Sequence, residues 1–439
     1  MLTKQERRES VRAVVRVASG NFLEMYDFIV YGYYAVYIGN AFFPAKSEFA
    51  SLMLALVTFG AGYLMRPIGA VVLGAYIDRK GRREGLLLTL GLMAAGTLTI
   101  ALTPSFAKIG IMAPAIVVIG RLLQGLSAGA EVGGVSIYLA EIAGPENRGF
   151  YCSWQSASQQ GAVVFTAAVG LILTRTITGT QMSSWGWRIP LFIGCLIVPL
   201  IFRLRQSLVE TAAFREMTLQ PKTSTDVMKI LLSNWRVVTL GIMLSVFTTT
   251  FFYLITAYNP TFGRQALHLD AASTFLVTLC VGVSNFLWIP ISGAISDRIG
   301  RRPFLFVMPV LALITVYPLL HWLASDASFA KLLAVELWFS CLYAVYNGAM
   351  IPFLAEIMPF AVRSSGFAVA YSVATALFGG FTPAVCTFLI EHTGSNAAPA
   401  FWLLLASAVS LISVTLSSAS RKEPWNHVAI PAQPSASVR

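Results

Sequence analysis

Apolar residues run through this chain in long blocks broken by short polar stretches. Blocks near 17–39, 50–76, 85–104, 113–139, 150–174, 188–204, 236–258, 273–296, 303–324, 330–354, 365–390 and 400–419 each predict a helix that crosses a membrane. About 20 residues at 1.5 Å rise cross a hydrocarbon layer of ~30 Å. Twelve such spans put both termini on one side. Composition agrees: 56% of the 439 residues are hydrophobic and 12% charged, against about 25% charged in a soluble domain. Such a chain needs lipid to cover its surface.

Lys and Arg assign the sides. They gather in the N-terminal segment, the turn 79–83, the segment 203–236, the turn 298–302 and the C-terminal tail, with Arg148 and Arg363 on the same side. The opposite loops hold only Lys46, Lys108, Arg175, Arg188, Arg264 and Lys331. The positive-inside rule makes the first set cytoplasmic. The net charge of +11 is then a topology signal and a contact with anionic lipid, and no nucleic-acid partner is expected. The apolar run after the basic N-terminus is too long for a cleavable signal peptide. Five scattered cysteines, Cys152, Cys195, Cys280, Cys341 and Cys386, show neither pairing nor metal spacing and read as small buried hydrophobes. No metal cluster, nucleotide loop or nucleophile arrangement is evident, so neither an enzyme nor a cofactor is expected.

The chain repeats itself. Gly74-Ala-Tyr-Ile-Asp78-Arg79-Lys80-Gly81-Arg82-Arg83 follows the second span, and Gly293-Ala-Ile-Ser-Asp297-Arg298-Ile299-Gly300-Arg301-Arg302 follows the eighth. Ala140-Glu141-Ile142 with Arg148 matches Ala355-Glu356-Ile357 with Arg363. The expected organisation is a cytoplasmic N-terminus (1–16), a six-helix bundle (17–204), a cytoplasmic linker (205–235), a second six-helix bundle (236–420) and a cytoplasmic tail (421–439). Internal repeats of this kind place a substrate site between the halves near the midplane.

The doubled G-x-x-x-D-R-x-G-R-R signature and the run Arg121-Leu-Leu-Gln124-Gly125 resemble motifs of the major facilitator superfamily. The segments Gly20-Asn21-Phe-Leu-Glu24-Met-Tyr26-Asp27-Phe28, Arg66-Pro67-Ile-Gly69-Ala70 and Trp185-Gly-Trp187-Arg188-Ile-Pro190 resemble its metabolite–proton symporter branch. Ser153-Trp154-Gln155-Ser156-Ala157-Ser158-Gln159-Gln160 is similar to the citrate and tricarballylate symporters of that branch. The resemblance covers residues 15–420. It implies an all-α fold of two pseudo-symmetric six-helix bundles. It also implies proton-coupled uptake of a citrate-like anion across the bacterial inner membrane by a functional monomer. Tricarballylate, or a shikimate- or betaine-like substrate, keeps the fold, and a transport-inactive sensor is the alternative of another class.

Charges at membrane depth cost at least ~2.5–3.5 kcal/mol and so should face a cavity with partners. Asn21, Glu24, Asp27 and Tyr31 recur at helical spacing on one face of the first span. Arg121, with Gln124 one turn on, and Arg66 are candidate carboxylate ligands because guanidinium grips carboxylate as a fork. A structural ion pair of Arg66 with Asp27 or Glu24 is the alternative. Asp27 and Glu24, with Glu131 deeper in the fourth span, are candidate proton carriers. Alternate opening to each side would switch such a carboxyl between its protonated and ionised forms. Gln155 and Gln159 in the fifth span, and Tyr253, Asn285 and Asn347 in the second half, are candidate neutral ligands. Tyr258-Asn259-Pro260 is expected to break the seventh span as part of a gate. Glu336 and His321 read as interfacial residues near outer helix ends. Gly74, Asp78, Arg79, Arg82, Asp297, Arg298 and Arg301 are expected to latch one conformation. A carboxylate there can meet the positive end of a neighbouring helix, and the glycines allow close helix approach.

Overall fold

A computed structural model describes residues 4–80, 82–143, 146–206, 224–358 and 363–417. Within these, some side chains lie outside the described residues, among them those of 77–80, 82, 83 and Glu141, as do residues 207–223 of the expected linker and the expected tail. Twelve helical segments follow one another. They are α1 (Lys4–Tyr33, continued by Ala35–Phe42), α2 (Glu48–Leu64, continued by Arg66–Lys80), α3 (Arg82–Leu102), α4 (Met112–Ile142), α5 (Arg148–Thr176) and α6 (Ile189–Gln206). After a short helix at Ser224–Ser233 come α7 (Trp235–Tyr253), α8 (Ala271–Ile299), α9 (Arg302–Ser325), α10 (Phe329–Ile357), α11 (Arg363–Ala374, continued by Thr382–Thr393) and α12 (Pro399–Ser417).

Nine segments among the described residues are long and apolar enough to cross a membrane. The apolar stretches of α3 and α6 are shorter, Leu87–Leu102 and Gly186–Leu200. The exception is α1, whose inner face carries Asn21, Glu24 and Asp27, all buried. That face is shielded by protein, which is how a polar helix is tolerated at membrane depth. Leu196, Leu200, Ile119, Ile172, Leu287 and Ile314 are exposed apolar side chains, suited to acyl chains and not to water.

The breaks have local causes. Pro67 lacks an amide hydrogen, and α2 turns at Met65 just before it. Around Tyr258-Asn259-Pro260, α7 does not stop, as the sequence suggested, but widens into two π turns, Leu254–Tyr258 and Phe262–Ala266. A π turn absorbs the proline by lengthening the ring of each hydrogen bond instead of ending the helix. Arg188 donates to the carbonyls of Ala101 (2.6 Å) and Thr103 (2.8 Å) while lying over Trp187. It thereby caps the open carbonyls at the end of α3.

The halves touch at both ends. At the end bearing the doubled motif, α5 crosses α8 so closely that a Cβ on Gly293 would stand 2.6 Å from the Gly149 carbonyl. At the far end, a Cβ on Gly32 of α1 would stand 3.0 Å from the Ala257 carbonyl of α7. Thr261 donates to the Gly32 carbonyl there (3.5 Å), and Tyr33 meets Phe275 edge-on. The polar residues between these closures are sealed from both sides.

Candidate functional site

The centre of the N-terminal half is built on α1, α2, α3 and α4. Arg66 and Glu24 form an ion pair of 2.5 Å with both side chains 1% exposed. Of the two readings open for Arg66, the structure brings it to Glu24, one turn away from Asp27 on the same face. The guanidinium also lies 5.4 Å from the Tyr63 ring centre and 5.7 Å from that of Phe28. A fully buried pair survives because each charge has its counter-charge and a polarizable wall.

Arg121 is different. It is fully buried and makes no ion pair among the described residues. Its guanidinium sits among three rings, 4.4 Å from the centre of Tyr31, 4.7 Å from Phe28 and 5.1 Å from Phe59. Its hydrogen bonds go to neutral acceptors, Gln124 Oε1 at 2.8 Å and the Phe59 carbonyl at 3.4 Å, and Nε has no partner. Aromatic faces and amide oxygens hold a cation without cancelling it. The group remains able to take a carboxylate fork.

A chain of hydrogen bonds leads from this cation to Asp27. Gln124 Nε2 donates to Thr97 Oγ1 (2.9 Å), and Thr97 Oγ1 reaches Asp27 Oδ2 (2.5 Å). Asp27 Oδ1 has no hydrogen-bond partner and faces α6, where a Cβ on Gly194 would come within 2.7 Å of it. Thr97 was not among the residues the sequence singled out. It stands in an apolar run of α3 with nothing local to mark it. The usable signal is the adjacent Gly96, whose missing side chain lets α3 approach the Gly120 carbonyl of α4 (2.6 Å for a built Cβ).

Other candidates are placed as follows. Tyr31 gives its ring to Arg121, and its hydroxyl is tied to the Ala55 carbonyl (3.3 Å). Asn21 donates to the Gln155 carbonyl of α5 (3.3 Å). Gln155 accepts from Ser156 (2.7 Å) and leaves Nε2 without a partner; Gln159 is buried. Glu131 is buried in α4, two residues before Gly133, which meets Ala368 of α11. Across the interface, Asn285 of α8 donates to Gln160 Oε1 (3.1 Å) and accepts from Ser340 of α10 (2.7 Å). Asn347 accepts from Thr248 (2.7 Å), leaving Nδ2 unpartnered. Tyr253 packs edge-on against Phe59 and Tyr63 and so joins α7 to the ring cluster around both arginines.

At the motif end, Asp297 Oδ1 accepts from the Gly149 amide (2.7 Å) and Oδ2 from the Phe150 amide (3.0 Å). These are open amides in the first turn of α5, where a carboxylate is favoured by hydrogen bonding and dipole alike. Arg301 holds Asp297 (2.6 Å) and reaches Glu356 of the second repeated motif (3.4 Å). Arg298 is exposed and outside this cluster. Gly74 differs from Gly293, for a Cβ there would meet nothing within 4 Å, so close helix approach does not account for it in this closed form. The side chains of Asp78, Arg79 and Arg82 lie outside the described residues.

Two six-helix bundles facing each other across buried, unequally paired charges define a multi-pass membrane transporter. The chain belongs to the Major Facilitator Superfamily, whose family model matches residues 17–383. It is 54% identical over 404 residues to the citrate-proton symporter of Salmonella typhi, covering 92% of this chain and 93% of that one. It is 56% identical over 402 residues to the citrate-proton symporter of Klebsiella pneumoniae, covering 92% and 90%. Among solved structures, the proton:xylose symporter XylE matches with a TM-score of 0.75 at 19% identity, covering 93% of this chain and 95% of that one. At that identity the likeness speaks for the fold alone.

Proposed function

We propose that this protein is a proton symporter that takes up citrate, or a closely related tricarboxylate, by alternating access. The observation that carries the reading is the buried Arg121 guanidinium, paired with no carboxylate among the described residues and joined through Gln124 and Thr97 to Asp27. Arg121 binds a substrate carboxylate and Asp27 carries a proton. Their shared hydrogen bonds let one feel the occupancy of the other. Arg66, freed from Glu24 by a competing anion, adds a second guanidinium, while Gln155, Gln159, Tyr253, Asn285 and Asn347 supply neutral contacts. The similarity to two citrate-proton symporters over nine-tenths of each chain supports the choice of substrate.

Electrostatics sets the terms. Moving a trianion inward against 100 mV, negative inside, costs ~7 kcal/mol at ~2.3 per charge. At least three positive charges must travel with it to make the step neutral. The bundles at 17–204 and 236–420 would rock about the site, joined by the linker, with the motif end and both termini in the cytoplasm of a bacterial cell. A single chain in anionic lipid suffices for this cycle. Labelled citrate in proteoliposomes is expected to accumulate under an imposed pH gradient and to leak out with a protonophore. Uptake indifferent to the protonophore sinks the symport reading, and failure of unlabelled citrate to compete sinks the substrate.

Asp297 is the latch that holds the motif end shut. Charge-assisted hydrogen bonds contribute about 1.5–3 kcal/mol, so Asp297→Asn is expected to shift the population toward the form open at that end by roughly 10- to 100-fold. Cys152, fully buried on α5 one turn from the latch, reports it. Its alkylation, mapped by mass spectrometry, rises in the variant; equal labelling in both proteins removes the latch role.

A further inference from the structure

Glu336 is not the interfacial residue its position in the sequence suggested. It is 0% exposed, in the far-end half of α10, and neither carboxyl oxygen has a hydrogen-bond partner. No ion pair reaches it among the described residues. The titratable groups on the surrounding elements are engaged elsewhere or neutral. Lys331 on α10 itself pairs with Asp326 (3.3 Å). On α7, Arg264 lies over Tyr37, and the Tyr258 hydroxyl accepts from Thr387 of α11. His321 on α9 stacks on Tyr317, and α8 contributes Cys280. Burying a charge that has no partner is costly, and nothing around Glu336 among the described residues offsets that cost.

Gly263 of α7 packs against Thr274 of α8 and Leu332 of α10, with 3.5 Å from a built Cβ to Leu332. One turn toward the centre on these three helices stand Asn259, Thr278 and Glu336. Asn259 donates to Thr278 (3.0 Å), and its Oδ1 lacks a donor. Asn259 also lies between the two π turns of α7, irregular turns that recur where helices serve function. One further turn inward, Ser340 donates to Asn285, and Asn285 donates to Gln160 across the interface. The orphan carboxyl thus stands between the far-end closure and the polar bridge joining the two halves.

We propose that Glu336 is a second proton-binding site of the transport cycle, loaded and unloaded when the far half of α7 swings away and admits water. This rests on the symport reading and deepens it, since one proton on Asp27 does not neutralise a trianion. Glu336→Gln mimics the protonated acid in shape and lacks the exchangeable proton.

The test measures proton and citrate fluxes together in proteoliposomes with the membrane potential clamped at zero. The wild type fixes the ratio. Glu336→Gln is expected to transport with one proton fewer per citrate, which lowers the accumulation reached at a one-unit pH gradient about tenfold. A ratio unchanged from a proton-coupled wild type overturns this inference alone. A wild type that moves no protons overturns the symport reading and this with it. Should the variant prove inactive, infrared difference spectra of the wild type decide. The carboxylic C=O band that Glu336→Gln removes must change between the citrate-free and citrate-saturated protein. A band present in the wild type and constant between those states makes Glu336 a fixed structural acid and ends the proposal.

Discussion

Arg121→Lys is expected to raise the KM for citrate by roughly 10- to 100-fold, with a smaller effect on the maximal rate. Lysine keeps the charge but loses the planar fork that meets both oxygens of one carboxylate. Its ammonium also reaches neither Gln124 nor the three rings in the geometry that now holds the guanidinium among Tyr31, Phe28 and Phe59. Losing one charge-assisted hydrogen bond of the fork costs about 1.5–3 kcal/mol, and each 1.4 kcal/mol is tenfold in affinity. Arg66→Lys is the internal comparison. Its partner in the closed form is Glu24, so the smaller change in KM belongs there. Initial rates of labelled citrate uptake over a range of concentrations measure both. A KM for Arg121→Lys within twofold of the wild type would remove Arg121 from the binding site.

Asp27→Asn separates coupling from binding. The amide fits the same space and still accepts from Thr97, so the fold and the path to Arg121 are kept. It cannot take up or release a proton. Accumulation against a gradient is therefore expected to fall about tenfold per lost proton at a one-unit pH gradient. Counterflow, in which labelled citrate exchanges for unlabelled with no net proton movement, is expected to stay near the wild-type rate. Loss of counterflow together with uptake would mean that Asp27 supports binding or folding. Full accumulation in the variant would mean that the proton travels elsewhere.

Much of this was legible in the residues before any contact was known. Helices long enough to cross a bilayer announce themselves by length and apolarity, and the doubled motif announces two halves. The polar stripe of Asn21, Glu24, Asp27 and Tyr31 could face only inward, since lipid rejects it at any packing. Asp297 was recognisable as a partner for a helix N-terminus, though which helix was not. Thr97 was invisible, because a threonine in a helix ordinarily bonds its own backbone, as Thr97 also does to Met93 (3.0 Å). Glu336 reads as interfacial from its place along α10, yet it is fully buried, because distance along a helix is not depth in the protein. Near the same level as an interface, a side chain pointing at α7 and α8 is drier than one pointing outward.

Spans, repetition, the polar face of α1 and the residue types able to grip a carboxylate come from the sequence by itself, since each depends on local order along one helix. The tertiary structure alone decided that Glu24 takes Arg66, that Arg121 is left without a carboxylate among the described residues, that Thr97 joins it to Asp27, and that Gly293 is crowded while Gly74 is open. The reason is physical. Pairing energies at membrane depth change by several kcal/mol over a few ångströms, and those distances are set by how helices far apart in the chain cross one another.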